Sequence, residues 1–118
     1  PILVIDDNQG LVELFRRYLA GSCYRLLPAL TADSALEQVR EAQPRLIILD
    51  VMMPQEDGWE VLQRLRAAPG MRDVPIVICS ALREMEIARS LGAADYLTKP
   101  VTQSDLVATV ERWCGPAE

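Results

Sequence analysis

A run of four apolar residues that ends on an aspartate constrains the fold of this chain more than any other feature. Residues Leu46–Leu49 carry no polar alternation, and Asp50 follows them directly. An unbroken apolar run of this length is typical of a strand buried on both faces, as in a parallel sheet covered by helices. In open α/β sheets, ligands bind at the carboxyl ends of the strands. Asp50 is therefore a candidate functional carboxylate, the alternative being that it simply caps a turn.

The rest of the chain alternates apolar runs with segments of helical periodicity. The further predicted strands are residues 2–5, 24–29, 76–79 and 94–97. The predicted helices run from the Asn8 cap to Gly21, from the Thr31 cap to just before Pro44, from Asp57-Gly58 to Pro69-Gly70, over 84–91 with Gly92 as the stop, and from Thr102 onward. The last helix is predicted to bury Leu106, Val107, Val110 and Trp113. Pro28 removes a backbone donor from the second strand, which should therefore lie at an edge of the sheet.

Five strands that alternate with five helices over short connections imply a parallel sheet with helices on both faces and right-handed crossovers. The predicted fold is therefore α/β, a flavodoxin-like three-layer sandwich with a five-stranded parallel sheet of order 2-1-3-4-5. A barrel would need more strand–helix units. We expect residues 1–118 to form a single domain.

The composition excludes several kinds of site and partner. The chain has no histidine, which rules out a histidine metal site, a Ser-His triad and a histidine base. Its three cysteines share no metal-type spacing, and we expect them to be reduced thiols of a cytoplasmic protein. The net charge of −5 argues against direct contact with nucleic acid or an anionic membrane, and no apolar run approaches the ~20 residues of a membrane span. The chain opens at Pro1 in a strand pattern without a signal peptide, and we expect it to be excised from a longer protein.

The parallel topology brings polar residues together that are distant in sequence. The residues that follow the first, third, fourth and fifth strands are Asp6 with Asp7, Asp50, Ser80 and Lys99. Taken singly, they could be helix-capping acids, a turn hydroxyl and a solvated lysine. Clustered carboxylates, however, repel by about 4 kcal/mol per close pair at an effective dielectric of about 20, so they require a cation or protons. Lys99 supplies one positive charge, and an all-oxygen site without histidine suits Mg²⁺.

Over essentially its full length the chain resembles a response-regulator receiver domain. The resemblance is carried by VIDD at 4–7, ILDVMMPQEDG at 48–58, CSA at 79–81 and GAADYLTKP at 92–100. It implies a signalling phosphoacceptor of a two-component phosphorelay rather than an enzyme. Asp50 would accept a phosphoryl group from the phosphohistidine of a sensor histidine kinase or a histidine phosphotransfer protein.

The resemblance also implies a metal site. Mg²⁺, or Mn²⁺ in its place, would bind Asp7 and Asp50 directly, Asp6 through water, and the backbone carbonyl of Met52. These are hard oxygen ligands of the kind that both cations accept.

The resemblance further implies a phosphoryl pocket with a conformational switch. Ser80 and Lys99 would contact the phosphoryl oxygens, small Ala81 would leave room for the approach, and a cis bond before Pro100 would aim Lys99 into the site. Movement of Ser80 would be coupled to inward rotation of Tyr96 and to a change in the surface of helix four, strand five and helix five. That surface is also where a homodimer would form, and a covalently linked output or kinase domain is expected.

One segment departs from the pattern of the family, and three other functions compete with phosphoacceptance. Residues 80–99 are shorter than usual by about one helical turn, which predicts a short or late-starting fourth helix. The same fold could serve as a phosphorylation-independent docking module. A flavodoxin-like cofactor binder would need a Gly- and hydroxyl-rich phosphate loop where the chain has DDNQG at 6–10, and a haloacid-dehalogenase-type phosphatase would need an acid where it has Met52.

Overall fold

The computed structural model describes residues 1–22, 24–53, 57–71, 73–81 and 85–115. Its strands are β1 (Ile2–Ile5), β2 (Leu26–Ala29), β3 (Leu46–Leu49), β4 (Ile76–Ser80) and β5 (Asp95–Thr98). Its helices are α1 (Gln9–Tyr18), α2 (Ala32–Ala42), α3 (Gly58–Ala67), α4 (Met85–Ser90) and α5 (Gln103–Cys114). Among the described residues, no helix combines the length and the apolar character that crossing a membrane requires.

All strand pairs are parallel, and the sheet order is β2-β1-β3-β4-β5, as predicted. Ile5 at the end of β1 pairs with Leu49 at the end of β3, and the backbone N–H of Asp50 donates to the carbonyl of Ile5 at 2.9 Å. Asp6 and Asp50 therefore leave adjacent strands at the same level. Pro28 lies in the edge strand β2, where a missing backbone donor is tolerated.

The unbroken apolar runs are explained by a hydrophobic core on each face of the sheet. One core joins alternate residues of the central strands, such as Ile47 and Leu49, to α2, α3 and α4. The other joins the remaining alternate residues, such as Leu46 and Ile48, to α1 and α5. Every residue of β1, β3 and β4 is buried as a result.

The end of α1 differs from the prediction, whereas the starts of α2 and α5 agree with it. Helix α1 stops at Tyr18, earlier than predicted, and Gly21 adopts a φ of 85° in the turn that follows. The side chains of Thr31 and Thr102 accept backbone N–H groups at the starts of α2 and α5, as their capping pattern predicts.

The prediction that Trp113 is buried in α5 is wrong. Trp113 is 36% exposed, and its indole N–H donates to Asp95 Oδ2 at 3.1 Å, because the ring needs a partner for its polar edge. Thr109 is the additional residue of α5 that is buried. The described part of α4 has six residues, which agrees with a short fourth helix. Its predicted first residue, Glu84, lies outside the described residues, so where the helix starts stays a prediction.

Candidate functional site

Three carboxylates meet at the carboxyl edge of the sheet. Asp6 and Asp7 follow β1, Asp50 follows β3, and one oxygen from each lies within 4.8 Å of the others. Asp6 and Asp50 are buried, being 2% and 5% exposed, whereas Asp7 is exposed. The cluster that the topology predicts is therefore present, with one acid open to solvent.

Backbone hydrogen bonds orient the two buried carboxylates in the same way. The N–H of Asn8 donates to Asp6 Oδ1 and the N–H of Met52 donates to Asp50 Oδ1, both at 2.9 Å. Each is a bond from the aspartate side chain to the backbone two residues on, which aspartate makes readily at the start of a loop. Sequence analysis missed these bonds, although an aspartate directly after a strand is the signal that could have suggested them.

Lys99 connects the two buried carboxylates. Its Nζ lies 3.0 Å from Asp6 Oδ2 and 3.3 Å from Asp50 Oδ2. The backbone N–H of Lys99 donates to the carbonyl of Ser80 at 2.9 Å, and the peptide bond to Pro100 is cis, as the resemblance implied. The side chain of Lys99, which follows the edge strand β5, thus contacts the carboxylates that follow β3 and β1.

Burial and charge shift the pKa values of two members of this cluster. Burial raises the pKa of Asp6 above its ordinary value of 3.8, and the nearby charge of Asp50 adds to this, although the bonds from Asn8 and Lys99 oppose it. Burial on its own lowers the pKa of Lys99, but its hydrogen bond to Asp6 and the charges of Asp6 and Asp50 outweigh that effect and raise the pKa above 10.5. Lys99 is therefore firmly protonated, whereas Asp6 carries its charge at a cost that a second cation would offset.

The other predicted site residues lie in β4, in β5 and in the residues that follow β3 and β4. Ser80 is fully buried at the end of β4, and Ala81 follows it at the surface. Met52 is 50% exposed, and its backbone N–H contacts Asp50. Tyr96 lies in β5, partly buried against the core that contains α4.

Cys79, the first residue of the CSA motif, is a neighbour of the cluster, and its closeness to the carboxylates was not predicted from the sequence. Its thiol is 1% exposed, and burial raises its pKa to about 12, with the negative charges of Asp6 and Asp50 adding to the shift against the opposing charge of Lys99. A thiol with such a pKa is not a nucleophile at neutral pH.

The fold and the site define a class of protein: a doubly wound α/β domain whose acidic pocket, with one lysine, lies where three parallel strands end. Residues 2–111 match the model of the response regulator receiver domain family. The chain belongs to that family, whose members are signalling domains of two-component systems.

Relatives and solved structures agree with this assignment. The chain is 37% identical over 113 residues to the alkaline phosphatase synthesis transcriptional regulatory protein PhoP of Bacillus subtilis, covering 93% of this chain but only 46% of PhoP. It superposes on the receiver domain of NtrX from Brucella abortus with a TM-score of 0.83 and 30% identity, covering 95% and 96% of the two chains. The receiver domain of the sensor histidine kinase PA1611 from Pseudomonas aeruginosa gives 0.84 and 27%, covering 97% and 96%, and holds a magnesium ion in its active site cleft.

Proposed function

We propose that Asp50 is the phosphoacceptor of this domain and that it takes a phosphoryl group from a phosphohistidine in a Mg²⁺-dependent reaction. The observation that carries the proposal is the position of Lys99 Nζ, 3.0 Å from Asp6 and 3.3 Å from Asp50 in a pocket of three carboxylates. A lysine held between a nucleophilic carboxylate and a second acid is where the negative charge of a phosphoryl group has to be neutralised.

The donor set of the pocket fits Mg²⁺. Three carboxylate oxygens within 4.8 Å of one another provide hard ligands, and Lys99 balances only one of their three charges. Asp7 and Asp50 would bind the ion directly, Asp6 through water, and Met52 through its backbone carbonyl, with Mn²⁺ as the substitute. A bound divalent ion would neutralise the excess acidic charge and attract the oxygens of an incoming phosphoryl group.

Asp50 is oriented for attack before any donor arrives. Its Oδ1 accepts the N–H of Met52 and its Oδ2 lies near Lys99, and each carboxylate oxygen has a second lone pair available. In the transfer, a lone pair of an Asp50 oxygen forms the new O–P bond while the N–P bond of the phosphohistidine breaks, and its electron pair returns to the imidazole. Lys99 and Ser80 stabilise the charge that spreads over the phosphoryl oxygens, so positioning and electrostatics carry the reaction.

The phosphorylated state is transmitted from Ser80 to Tyr96. Ser80 ends β4 and pairs with Thr98 of β5, two residues beyond Tyr96 in the adjacent strand. Movement of Ser80 toward the phosphoryl oxygens, with exposed Ala81 leaving space, lets Tyr96 turn inward and alters the surface formed by α4, β5 and α5. Lys99, which is followed by Pro100, is directed into the pocket by its contacts with Asp6 and Asp50.

The partners follow from the reaction. A sensor histidine kinase or a histidine phosphotransfer protein supplies the phosphohistidine that this chain lacks, since it contains no histidine. Residues 1–118 act as one receiver domain, and an output or kinase domain in the same polypeptide receives the signal, in keeping with a chain that spans less than half the length of PhoP. Dimerisation through the α4–β5–α5 surface is the further partner interaction.

The test is phosphoryl uptake from a small donor. The domain is incubated with acetyl phosphate and Mg²⁺ and weighed by intact-mass spectrometry, beside a sample in which EDTA removes the metal. We expect the mass of one phosphoryl group on the wild type with metal, and none with EDTA or on Asp50→Asn. If the wild type stays unmodified, or if Asp50→Asn gains the same mass, the phosphoacceptor assignment is wrong and an idle docking module of the same fold becomes the better account.

A further inference from the structure

Few of the described residues of helix α4 are buried. Of its six residues, Met85–Ser90, only Ala88 is buried, while Met85 and Ile87 are 51% and 45% exposed. Helices shorter than about 12 residues are marginal in water on their own. We therefore expect contacts from outside the described helix to contribute to fixing the position of α4.

The guanidinium of Arg66, near the end of α3, donates to the turn that follows α4. Its Nε lies 3.1 Å from the carbonyl oxygen of Gly92, and its Nη1 lies 3.1 Å from that of Met71 and 2.7 Å from that of Val74. One side chain thereby joins the segment between α3 and β4 to the turn between α4 and β5. Bonds from a charged donor to backbone carbonyls are among the stronger hydrogen bonds of proteins.

The acceptor of the first of these bonds is the residue that ends α4. Gly92 has a φ of 97° and its N–H donates to the carbonyl of Arg89, while the N–H of Ala93 donates to the carbonyl of Ala88. A glycine of left-handed conformation just past the last turn is a common helix stop. A Cβ on Gly92 would lie 3.5 Å from Arg66 Nε, so the guanidinium lies directly against this stop.

The packing of α4 against β5 leaves a small pocket between them. A cavity of about 50 Å³ lies between α4 and β5, bordered on the helix side by Met85, Ala88 and Arg89 and on the strand side by Tyr96. A helix that borders a cavity can shift without first displacing closely packed core atoms. The hydrogen bond from Arg66 to Gly92 thus holds the carboxyl-terminal end of a helix of which little is buried.

We propose that Arg66 is a positioning residue that holds α4 in its resting place, so that loss of its bonds frees α4 while the chemistry at Asp50 is unchanged. Arg66 acts at the amino-terminal edge of the sheet, because Val74 precedes β4 and the nearby N–H of Ala94 donates to the carbonyl of Ile76. Lys99 and the carboxylates lie at the opposite edge. The anchoring of α4 stands independently, whereas its effect on signalling rests on the proposed function.

The anchor is tested by hydrogen exchange of the unphosphorylated domain. Arg66→Gln is compared with the wild type and with Arg64→Gln, which removes an arginine of the same helix whose exposed pair with Asp33 spans 3.3 Å. We expect amide exchange over residues 85–96 to rise about tenfold or more in Arg66→Gln only, the effect of losing hydrogen bonds from a charged donor. Arg66→Lys, with one nitrogen for three carbonyls, should fall in between.

Three results would overturn the anchor: unchanged exchange over 85–96 in Arg66→Gln, an equal rise in Arg64→Gln, or an equal rise over β1 and β3, which would mean that Arg66 supports the whole fold.

A second measurement separates the anchor from the proposed function. With acetyl phosphate and Mg²⁺, Arg66→Gln should gain the same mass as the wild type, but the change in exchange over 85–96 on phosphorylation should be smaller, because α4 is already released. Loss of phosphoryl uptake in Arg66→Gln alone would contradict the positioning role. Absence of uptake in the wild type would contradict the phosphoacceptor proposal and leave the result on resting α4 intact.

Discussion

Replacing Lys99 by methionine removes the one cation that the described residues bring to the acidic pocket, while keeping a side chain of similar length. In the wild type its Nζ lies 3.0 Å from Asp6 and 3.3 Å from Asp50, and its side chain is 24% exposed. The variant leaves the two buried carboxylates of Asp6 and Asp50 without the ammonium group that lies between them. Both the stability of the domain and its response to Mg²⁺ should therefore change.

The size of the effect follows from these distances. At an effective dielectric of about 20, each attraction is worth about 5 kcal/mol, but much of this is offset because the charges have left water. Breaking a buried pair from one side costs about 3–5 kcal/mol, and the partial exposure of Lys99 brings the expected loss of unfolding free energy to about 2–3 kcal/mol. Because the pKa of Lys99 is raised, this contribution is complete at neutral pH and is lost only as the pH rises beyond its ordinary value of 10.5.

Urea denaturation with and without Mg²⁺ measures both effects. The matched control is Arg64→Met, since the Arg64–Asp33 pair also spans 3.3 Å but is exposed and should contribute less than about 1 kcal/mol. Mg²⁺ should restore more stability to Lys99→Met than it adds to the wild type, because the uncompensated pocket binds a cation more tightly. Equal losses in the two variants, or an equal gain from Mg²⁺ in Lys99→Met and the wild type, would refute the electrostatic account of the pocket.

Three further predictions test other parts of the structure. A Cβ at Gly58 would lie 2.0 Å from the Cα of Val51. Gly58→Ala should therefore lower the free energy of unfolding, measured by urea denaturation, by about 3 kcal/mol, and it should reduce phosphoryl uptake at Asp50, which precedes Val51. Wild-type values for both quantities would contradict the close contact. Burial on its own raises the pKa of Asp95, but hydrogen bonds from α5 and the backbone outweigh it and lower the pKa below 3.8. Asp95→Asn should therefore reduce the free energy of unfolding by about 1 kcal/mol at neutral pH, and by less as the pH falls through the lowered pKa. A loss of stability that does not depend on pH would exclude the charge of Asp95 as its cause. Cys79, 1% exposed with a pKa of about 12, should resist alkylation at neutral pH until the domain unfolds, and rapid labelling of the folded protein would disprove its burial.

The fold and the composition of the site were predictable because both follow from strand ends. Four apolar residues before Asp50 can be covered only by helices on both faces, and parallel strands deliver their carboxyl ends to one edge. Asp6, Asp50 and Lys99 therefore meet although up to 93 residues separate them, and the distances of 3.0 and 3.3 Å agree with that expectation. The six described residues of α4 agree with the short helix predicted from the sequence, since the segment between Ser80 and Lys99 limits how many residues remain for it.

The parts that escaped prediction depend on where long side chains find partners. Periodicity placed Trp113 on the inner face of α5, but the indole N–H bonds to Asp95, which also accepts from Arg112 at 2.6 Å. Arg66 is one arginine among several in the sequence, and only the packed structure brings three backbone carbonyls around it. Such contacts depend on the meeting of two loops, for which a linear pattern has no signature.

The location of the added group is the most direct test of the central claim, that Asp50 carries the chemistry. The domain is phosphorylated with acetyl phosphate and Mg²⁺, digested, and its peptides are sequenced by tandem mass spectrometry. The account predicts that the phosphoryl group is found on Asp50 and that its mass is absent from peptides that contain Asp6 or Asp7. A phosphoryl group on one of those two residues, or on a hydroxyl such as that of Ser80, would contradict it.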